Sequence, residues 1–224
     1  MLPATMPEKP TFSYERRLWR GGAGFVAGVD EVGRGPLAGP VAAGAVILPA
    51  GARFRWLSRV RDSKQLSAAA REELAGYIWR HAVAAAVAFV PVSAIDRIGI
   101  AEASRQAMLA AVGRLALRPQ HLLIDAFRLP ACSLGQTPII GGDATSLSIA
   151  CASIIAKVTR DRLMDERDAC HPGYGFCTNK GYATPEHFQA LHRLGPSPDH
   201  RRSFSPVREM VAPRVALATA ATPV

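Results

Sequence analysis

Residues 25–48 read FVAGVDEVGRGPLAGPVAAGAVIL. Two apolar runs, FVAGV at 25–29 and VAAGAVIL at 41–48, each have the length of a buried strand, and Pro49 and Gly51 close the second. Between them stand Asp30 and Glu31, then three glycines and two prolines within the eight residues 33–40. That composition predicts a rigid turn whose backbone can approach a ligand closely. Its N–H groups suit a phosphate or a sugar hydroxyl, and Arg34 adds a fixed cation. The segment thus predicts a sheet with acids and an anion-friendly loop at one edge.

Working outward, Ser67 suits the cap of a helix running to about Arg80, and AVAAAVAFV at 82–90 reads as a strand from its length and Pro91. A helical stripe through Met108, Val112 and Leu115 spans 100–117, HLLID at 121–125 is a short strand, and a long helix runs from about Ser146 to Asp168. Thr184-Pro185 starts a last helix that Gly195-Pro196 ends. The order is strand, strand, helix, strand, helix, strand, helix, helix. It predicts an α/β domain with a mixed central sheet flanked by helices and a C-terminal helical portion. Residues 1–22 are polar and Arg-rich and predict a flexible lead-in. Residues 23–210 form the domain, and 211–224 predict a disordered tail.

The 224 residues, 49% hydrophobic and 20% charged, suffice for a core without disulfide or metal staples and exclude a disordered chain, a collagen or a heptad rod. No apolar run approaches the ~20 residues of a membrane helix, and no apolar run follows the N-terminal charges, so a cytoplasmic protein with no membrane partner is expected. Lys+Arg 27 against Asp+Glu 18 gives +9, which favours a polyanion such as nucleic acid, or an anionic surface, with plain solubility as the bland alternative. Only Lys9, Lys64, Lys157 and Lys180 are lysines among the 27 cations, so those sites suit a compact ammonium. Cys132, Cys151, Cys170 and Cys177 form no CxxC pair; reduced thiols are expected rather than a zinc site at Cys170, His171 and Cys177. His187 and His192, five apart, do not share a helix face, and Ser148 and Ser153 have no base at a readable spacing.

Four acids carry the chemistry. Asp30 and Glu31 follow FVAGV, Asp125 follows HLLI, and Asp143 follows PIIGG. Neighbouring strands bring such groups together, where they repel unless divalent cations neutralise them. An all-oxygen set favours Mg²⁺ or Mn²⁺ over Zn²⁺, and two such ions about 4 Å apart clamp an in-line phosphoryl displacement. The alternative is that each Asp serves only as a turn or cap residue.

The segments GVDEVGRGPLAGPV, DSKQL, LIDAF, GGDA, SIIAKVTRD, YGFxxNKGYAT and HRRSF occur in that order. Together they resemble the ribonuclease HII family over residues 25 to about 206. The resemblance implies an RNase H-like fold and cleavage of the RNA strand of RNA–DNA hybrids and at ribonucleotides embedded in duplex DNA. It also implies use of Mg²⁺ or Mn²⁺, two ions during catalysis, and 5′-phosphate and 3′-hydroxyl ends. The chain would act as a monomer in ribonucleotide excision during replication and repair. Carried over, the metal-binding catalytic acids are Asp30, Glu31, Asp125 and Asp143. The loop that senses the 2′-hydroxyl is Gly33, Arg34 and Gly35, and Tyr182 packs beside the junction sugar. Lys64, Lys157 and Lys180 fall in matching segments as substrate contacts, and the basic residues of SIIAKVTRD and HRR, Arg160, Arg201 and Arg202 among them, are expected to hold phosphates or to be solvated surface charges. One departure is Asn179, where the family would have His. A G-R-G rather than G-T-G loop, with 29 residues before Asp30, fits type HII better than ribonuclease HIII. Two other readings remain: a nucleic-acid-binding module without catalysis, and a different nuclease or a transposase on the same fold.

Overall fold

The computed structural model describes residues 9–211, so the first eight residues of the expected lead-in, and all but Val211 of the expected tail, lie outside the described residues. Residues 13–20 correct the expectation of a flexible lead: Ser13–Arg20 is helix α1. Phe12 and Glu15 are buried, and Phe12 packs on Trp19 with ring centroids 5.2 Å apart. The spacing Phe12, Glu15, Trp19 is a one-face helical stripe that an Arg-rich composition disguises.

The two runs of the opening segment become β1 (Val26–Val32) and β2 (Val41–Ile47). Two short 3₁₀ turns, Arg55–Arg59 and Ser63–Gln65, lead to α2 (Ala68–His81), where the Ser67 side chain accepts from the Ala70 N–H as expected of a cap. Then come β3 (Ala84–Val90), α3 (Val92–Ile98), α4 (Ile100–Gly113) and β4 (His121–Asp125). After β5 (Gly135–Ile139) follow the short α5 (Gly142–Thr145) and the 24-residue α6 (Leu147–Cys170). The last described helices are α7 (Phe176–Asn179), α8 (Pro185–Leu194) and α9 (Val207–Val211). Strand β5 and helices α3, α5, α7 and α9 join α1 as additions to the expected order; GQTPI, an edge strand broken by Pro138, carries no alternating apolar pattern to read.

The described strands form one sheet in the order β3-β2-β1-β4-β5, antiparallel across β1–β2 and β2–β3 and parallel across β1–β4 and β4–β5. The expected mixed α/β sheet is therefore present. One face packs on Ile95, Met108 and their neighbours from α3 and α4; the other packs on Leu74 and Ile78 of α2 and Ile154, Ile155 and Val158 of α6. With both faces covered, β2 is buried along its whole length, which explains its unbroken apolar run. No described helix is long and apolar enough to cross a membrane.

Helix α6 lies almost in contact with the β1 backbone. A Cβ on Gly28 would meet the Ser148 carbonyl carbon at 2.1 Å, so glycine is obligatory there. The N-terminus of α6 is held by α1: Glu15 accepts from the Ser146 hydroxyl at 2.7 Å and the Ser148 N–H at 2.9 Å. A buried carboxylate here satisfies free amide groups and complements the helix dipole. Glu15→Ala is therefore expected to cost about 1–3 kcal/mol, the range for stranding buried donors. A chemical-denaturation midpoint equal to wild type would refute this.

Candidate active site

The three parallel strands deliver the acids. Pairing of β1 with β4 runs from Val26–His121 to Val29–Ile124, so Asp30 and Asp125 come next, side by side. Strand β1 itself continues past Asp30 to Val32, because β2 keeps pairing with it there. The strand end expected at Asp30 is thus an end on the β4 side only. Asp125 pairs with Ile139 at the end of β5, and three residues later the chain turns into α5 and presents Asp143. Carboxyl ends of parallel strands are where an open α/β sheet leaves a crevice.

That crevice is a cleft of about 260 Å³. Asp30, Glu31, Asp125 and Asp143 line it together with Gly33, Arg34, Gly35, Lys64, Lys157 and Tyr182. Val32 lines it too, as do Ser63 and Ser153, whose hydroxyls lie 3.0 Å apart. Of the eleven residues singled out in the sequence, Lys180 alone is not part of that lining; its ammonium pairs with Asp165 instead.

Asp30, Glu31 and Asp125 can each offer an oxygen within 4.8 Å of the others. Burial, then the charges of Glu31 and Asp125, hold the Asp30 carboxyl well above its ordinary range. Burial also raises Glu31, partly offset by Arg34, whose guanidinium nitrogen is 3.4 Å away. Burial raises Asp125, against the Gly142 N–H that donates to it at 2.7 Å. The buried Glu31 Oε2 has no hydrogen-bond partner among the described residues. Three crowded carboxylates, each pushed toward protonation and one with an unpartnered oxygen, fit a hard divalent cation. Asp143 stands slightly apart, with the Lys64 ammonium 3.3 Å from its Oδ2. Lys64 is held above its usual pKa because Asp143 and Asp62 outweigh the cost of burial.

Two arginines expected at phosphates or on the surface are instead buried, which corrects that reading. Arg160 donates to the carbonyls of Pro40, Ala38 and Lys180 at 2.9, 3.1 and 3.0 Å. Arg201 donates to those of Gly33 and Arg34 at 2.6 and 2.8 Å and twice to that of Gly39. Burial and the nearby Arg160 bring the Arg201 guanidinium down to about 9, which leaves it charged at neutral pH. These forks draw the loop carbonyls inward. The N–H groups of Gly33, Arg34 and Gly35 find no backbone or side-chain acceptor among the described residues. Gly33 has φ 92°, and a Cβ there would meet Arg160 Nε at 2.2 Å. The HRR triplet advertises cations, but only the fold shows that Arg201 serves the loop from beneath.

Tyr182 is 41% exposed and its ring lies 5.7 Å from the Lys157 ammonium, so it is not a core aromatic. Lys157 also pairs with Asp161 at 2.6 Å. Asn179, the residue that departs from the family pattern, is buried. Its Nδ2 donates to the Tyr174 carbonyl at 2.7 Å and its Oδ1 accepts from the Gly181 N–H at 2.8 Å. The amide thus fixes the NKGY turn without an imidazole.

A family model described as ribonuclease HII matches residues 27–207. The chain belongs to the ribonuclease HII family. Membership places it among the ribonuclease H endonucleases, which are phosphodiester hydrolases. It is 58% identical over 196 residues to a ribonuclease HII of Anaeromyxobacter sp. (strain Fw109-5), covering 88% of this chain and 61% of that relative's length. To the ribonuclease HII of Moorella thermoacetica it is 53% identical over 193 residues, covering 86% of this chain and 92% of the relative. Among solved structures, ribonuclease H2 from Pyrococcus horikoshii OT3 matches with a TM-score of 0.70 at 26% identity, over 83% of this chain and 96% of that one. A Mn²⁺-bound ribonuclease HIII shares the fold, with a TM-score of 0.66 at 19% identity over 84% of this chain and 69% of that one.

Proposed function

We propose that the chain hydrolyses the RNA strand of RNA–DNA hybrids and cuts at ribonucleotides embedded in duplex DNA, leaving 5′-phosphate and 3′-hydroxyl ends. The observation that carries this reading is the cleft itself: a carboxylate triad within 4.8 Å, beside a glycine loop with free N–H groups and an exposed tyrosine.

Asp30, Glu31 and Asp125 would hold Mg²⁺ or Mn²⁺, with Asp143 joining them and Lys64 balancing its charge. A pair of such ions, when bound, supplies a water of lowered pKa and offsets charge on the leaving 3′-oxygen. Ribonucleotides of every base must be cut, so selection rests on the 2′-hydroxyl rather than on base edges. The N–H groups of residues 33–35 are fixed in place by Arg160 and Arg201 and form a donor set for that hydroxyl or its phosphate. Tyr182 supplies a flat face for the sugar. Arg34, Lys64 and Lys157 are the cleft's cations for the phosphate backbone. The chain would act as a monomer in the cytoplasm, as a nuclease of ribonucleotide excision.

The deciding experiment is cleavage of a hybrid, and of a duplex with one ribonucleotide, in Mg²⁺, Mn²⁺ and EDTA. Cutting with either ion and none in EDTA is expected; cutting in EDTA would overturn the reading. A binding module without catalysis would hold both substrates and cut neither.

Binding should also weaken with salt. Each neutralised phosphate contributes a slope of about −0.9 in log K against log salt. With Arg160 and Arg201 buried, the slope should reflect Arg34, Lys64, Lys157 and the outer surface only. Arg201→Lys should therefore lower turnover while leaving the salt slope unchanged. A slope that falls by about one unit would return Arg201 to the phosphates.

A further inference from the structure

His187 and His200 are both fully buried behind the cleft, in the cluster that includes Phe176 and Tyr174, and neither lines the cleft. Their Nε2 atoms are 3.1 Å apart. His187 Nδ1 lies 2.8 Å from the Tyr182 carbonyl oxygen, and His200 Nδ1 lies 2.9 Å from the Ser197 N–H nitrogen and 2.8 Å from its hydroxyl.

The outer partners fix where the protons are. A carbonyl oxygen only accepts, so His187 carries hydrogen on Nδ1 and has a lone pair on Nε2. A peptide N–H only donates, so His200 has its lone pair on Nδ1 and carries hydrogen on Nε2. The two inner atoms are then complementary: His200 Nε2–H donates to His187 Nε2. Every bond runs one way, from Ser197 through His200 and His187 to the Tyr182 carbonyl.

Both ends of this relay belong to the site. Tyr182 presents its ring to the cleft. His200 precedes Arg201, which grips the Gly33, Arg34 and Gly39 carbonyls, and His200 forms a bridge with Ala38 of the same loop. We propose that the His187–His200 pair is a positioning device that locks the Tyr182 turn to the segment holding the Gly33–Gly35 loop, so that sugar face and 2′-hydroxyl donors keep one spacing. The inference rests on the assignment of Tyr182 to the substrate sugar. It makes neither histidine a catalytic residue.

The test is a double-mutant cycle on a duplex with one embedded ribonucleotide, using His187→Phe and Tyr182→Ala singly and together, with His187→Asn as rescue. Phe keeps the ring volume and removes both hydrogen bonds; Asn keeps a donor near the Nδ1 position. His187→Phe should lower kcat about tenfold or more, since small misplacements at a reacting centre are costly. His187→Asn should recover most of that loss. With Tyr182→Ala present, His187→Phe should add little, because the ring it positions is gone. The Mg²⁺-induced rise in melting temperature should be the same in His187→Phe as in wild type. An equal loss from His187→Phe with and without Tyr182, or no rescue by Asn, would overturn the proposal. Full activity of Tyr182→Ala alone would instead overturn the sugar assignment. If His187→Phe does not fold, ¹⁵N NMR of the wild-type imidazoles decides: the expected result is hydrogen on Nδ1 of His187 and on Nε2 of His200 at neutral pH. Either ring in the other tautomer breaks the relay.

Discussion

Asp30→Asn should abolish cleavage and, in the absence of divalent ions, raise the melting temperature. The first effect follows from position. Asp30 is the most buried of the three carboxylates whose oxygens come within 4.8 Å of one another. Asn keeps the size and removes the charge that a cation needs. The loss should exceed about a hundred- to a thousandfold, the scale on which removing one aimed electrostatic group slows an enzyme. The second effect has the opposite sign and the same cause. Burial, Glu31 and Asp125 raise the Asp30 carboxyl well above its ordinary range. A carboxyl raised in the folded state binds protons more tightly there than in the unfolded chain. Its ionisation therefore lowers stability as pH rises through the folded value. At neutral pH the ion-free protein carries that cost and the Asn variant does not, so the variant should melt several degrees higher. The gap should close as pH falls toward the ordinary carboxylate range. Adding Mg²⁺ should raise the wild-type melting temperature by mass action and raise that of the variant much less. Thermal melts at two pH values, with and without Mg²⁺, check all of this together with the cleavage assay. Near-wild-type turnover of Asp30→Asn would remove Asp30 from the metal set. A lower melting temperature without ions would show that the carboxylate is stabilised by partners rather than strained.

Tyr182→Ala should cost on the order of a hundredfold on a single embedded ribonucleotide, and Tyr182→Phe about tenfold or less. The ring offers a flat apolar face to the sugar; without it the scissile phosphate shifts, and misplacement by about an ångström costs that much. The hydroxyl adds at most one hydrogen bond, about 0.5–1.5 kcal/mol between neutral partners. The exposure of Tyr182 separates this from a folding effect. A side chain 41% exposed, with no place in the buried clusters, should leave the melting temperature little changed when cut back to alanine. An alanine variant that keeps full activity, or loses it only in step with unfolding, would remove Tyr182 from the substrate.

The sequence by itself determined the sheet's inner strands, the main helices and the four acids that the fold brings to the cleft. Those features are local. A buried strand such as VAAGAVI needs an unbroken apolar run, a helix needs a cap such as Ser67 or Thr184, and an acid directly after an apolar run can be read without knowing its neighbours. The ordered motifs then identified the family, since each is a short run of contiguous residues. Tertiary structure alone decided matters that join distant parts of the chain. Arg160 and Arg201 look like surface cations because Arg is usually exposed; only three inward-pointing carbonyls around each make burial tolerable. Glu15 looks like one more charge in a polar lead-in, until the α6 N-terminus, more than 130 residues away, supplies the donors it needs. The pairing of Lys64 with Asp143, the turning of Lys180 toward Asp165 and the meeting of His187 with His200 belong to the same class. A polar side chain's partner is set by where the fold brings donors and acceptors together in space, and no periodicity along the chain records that.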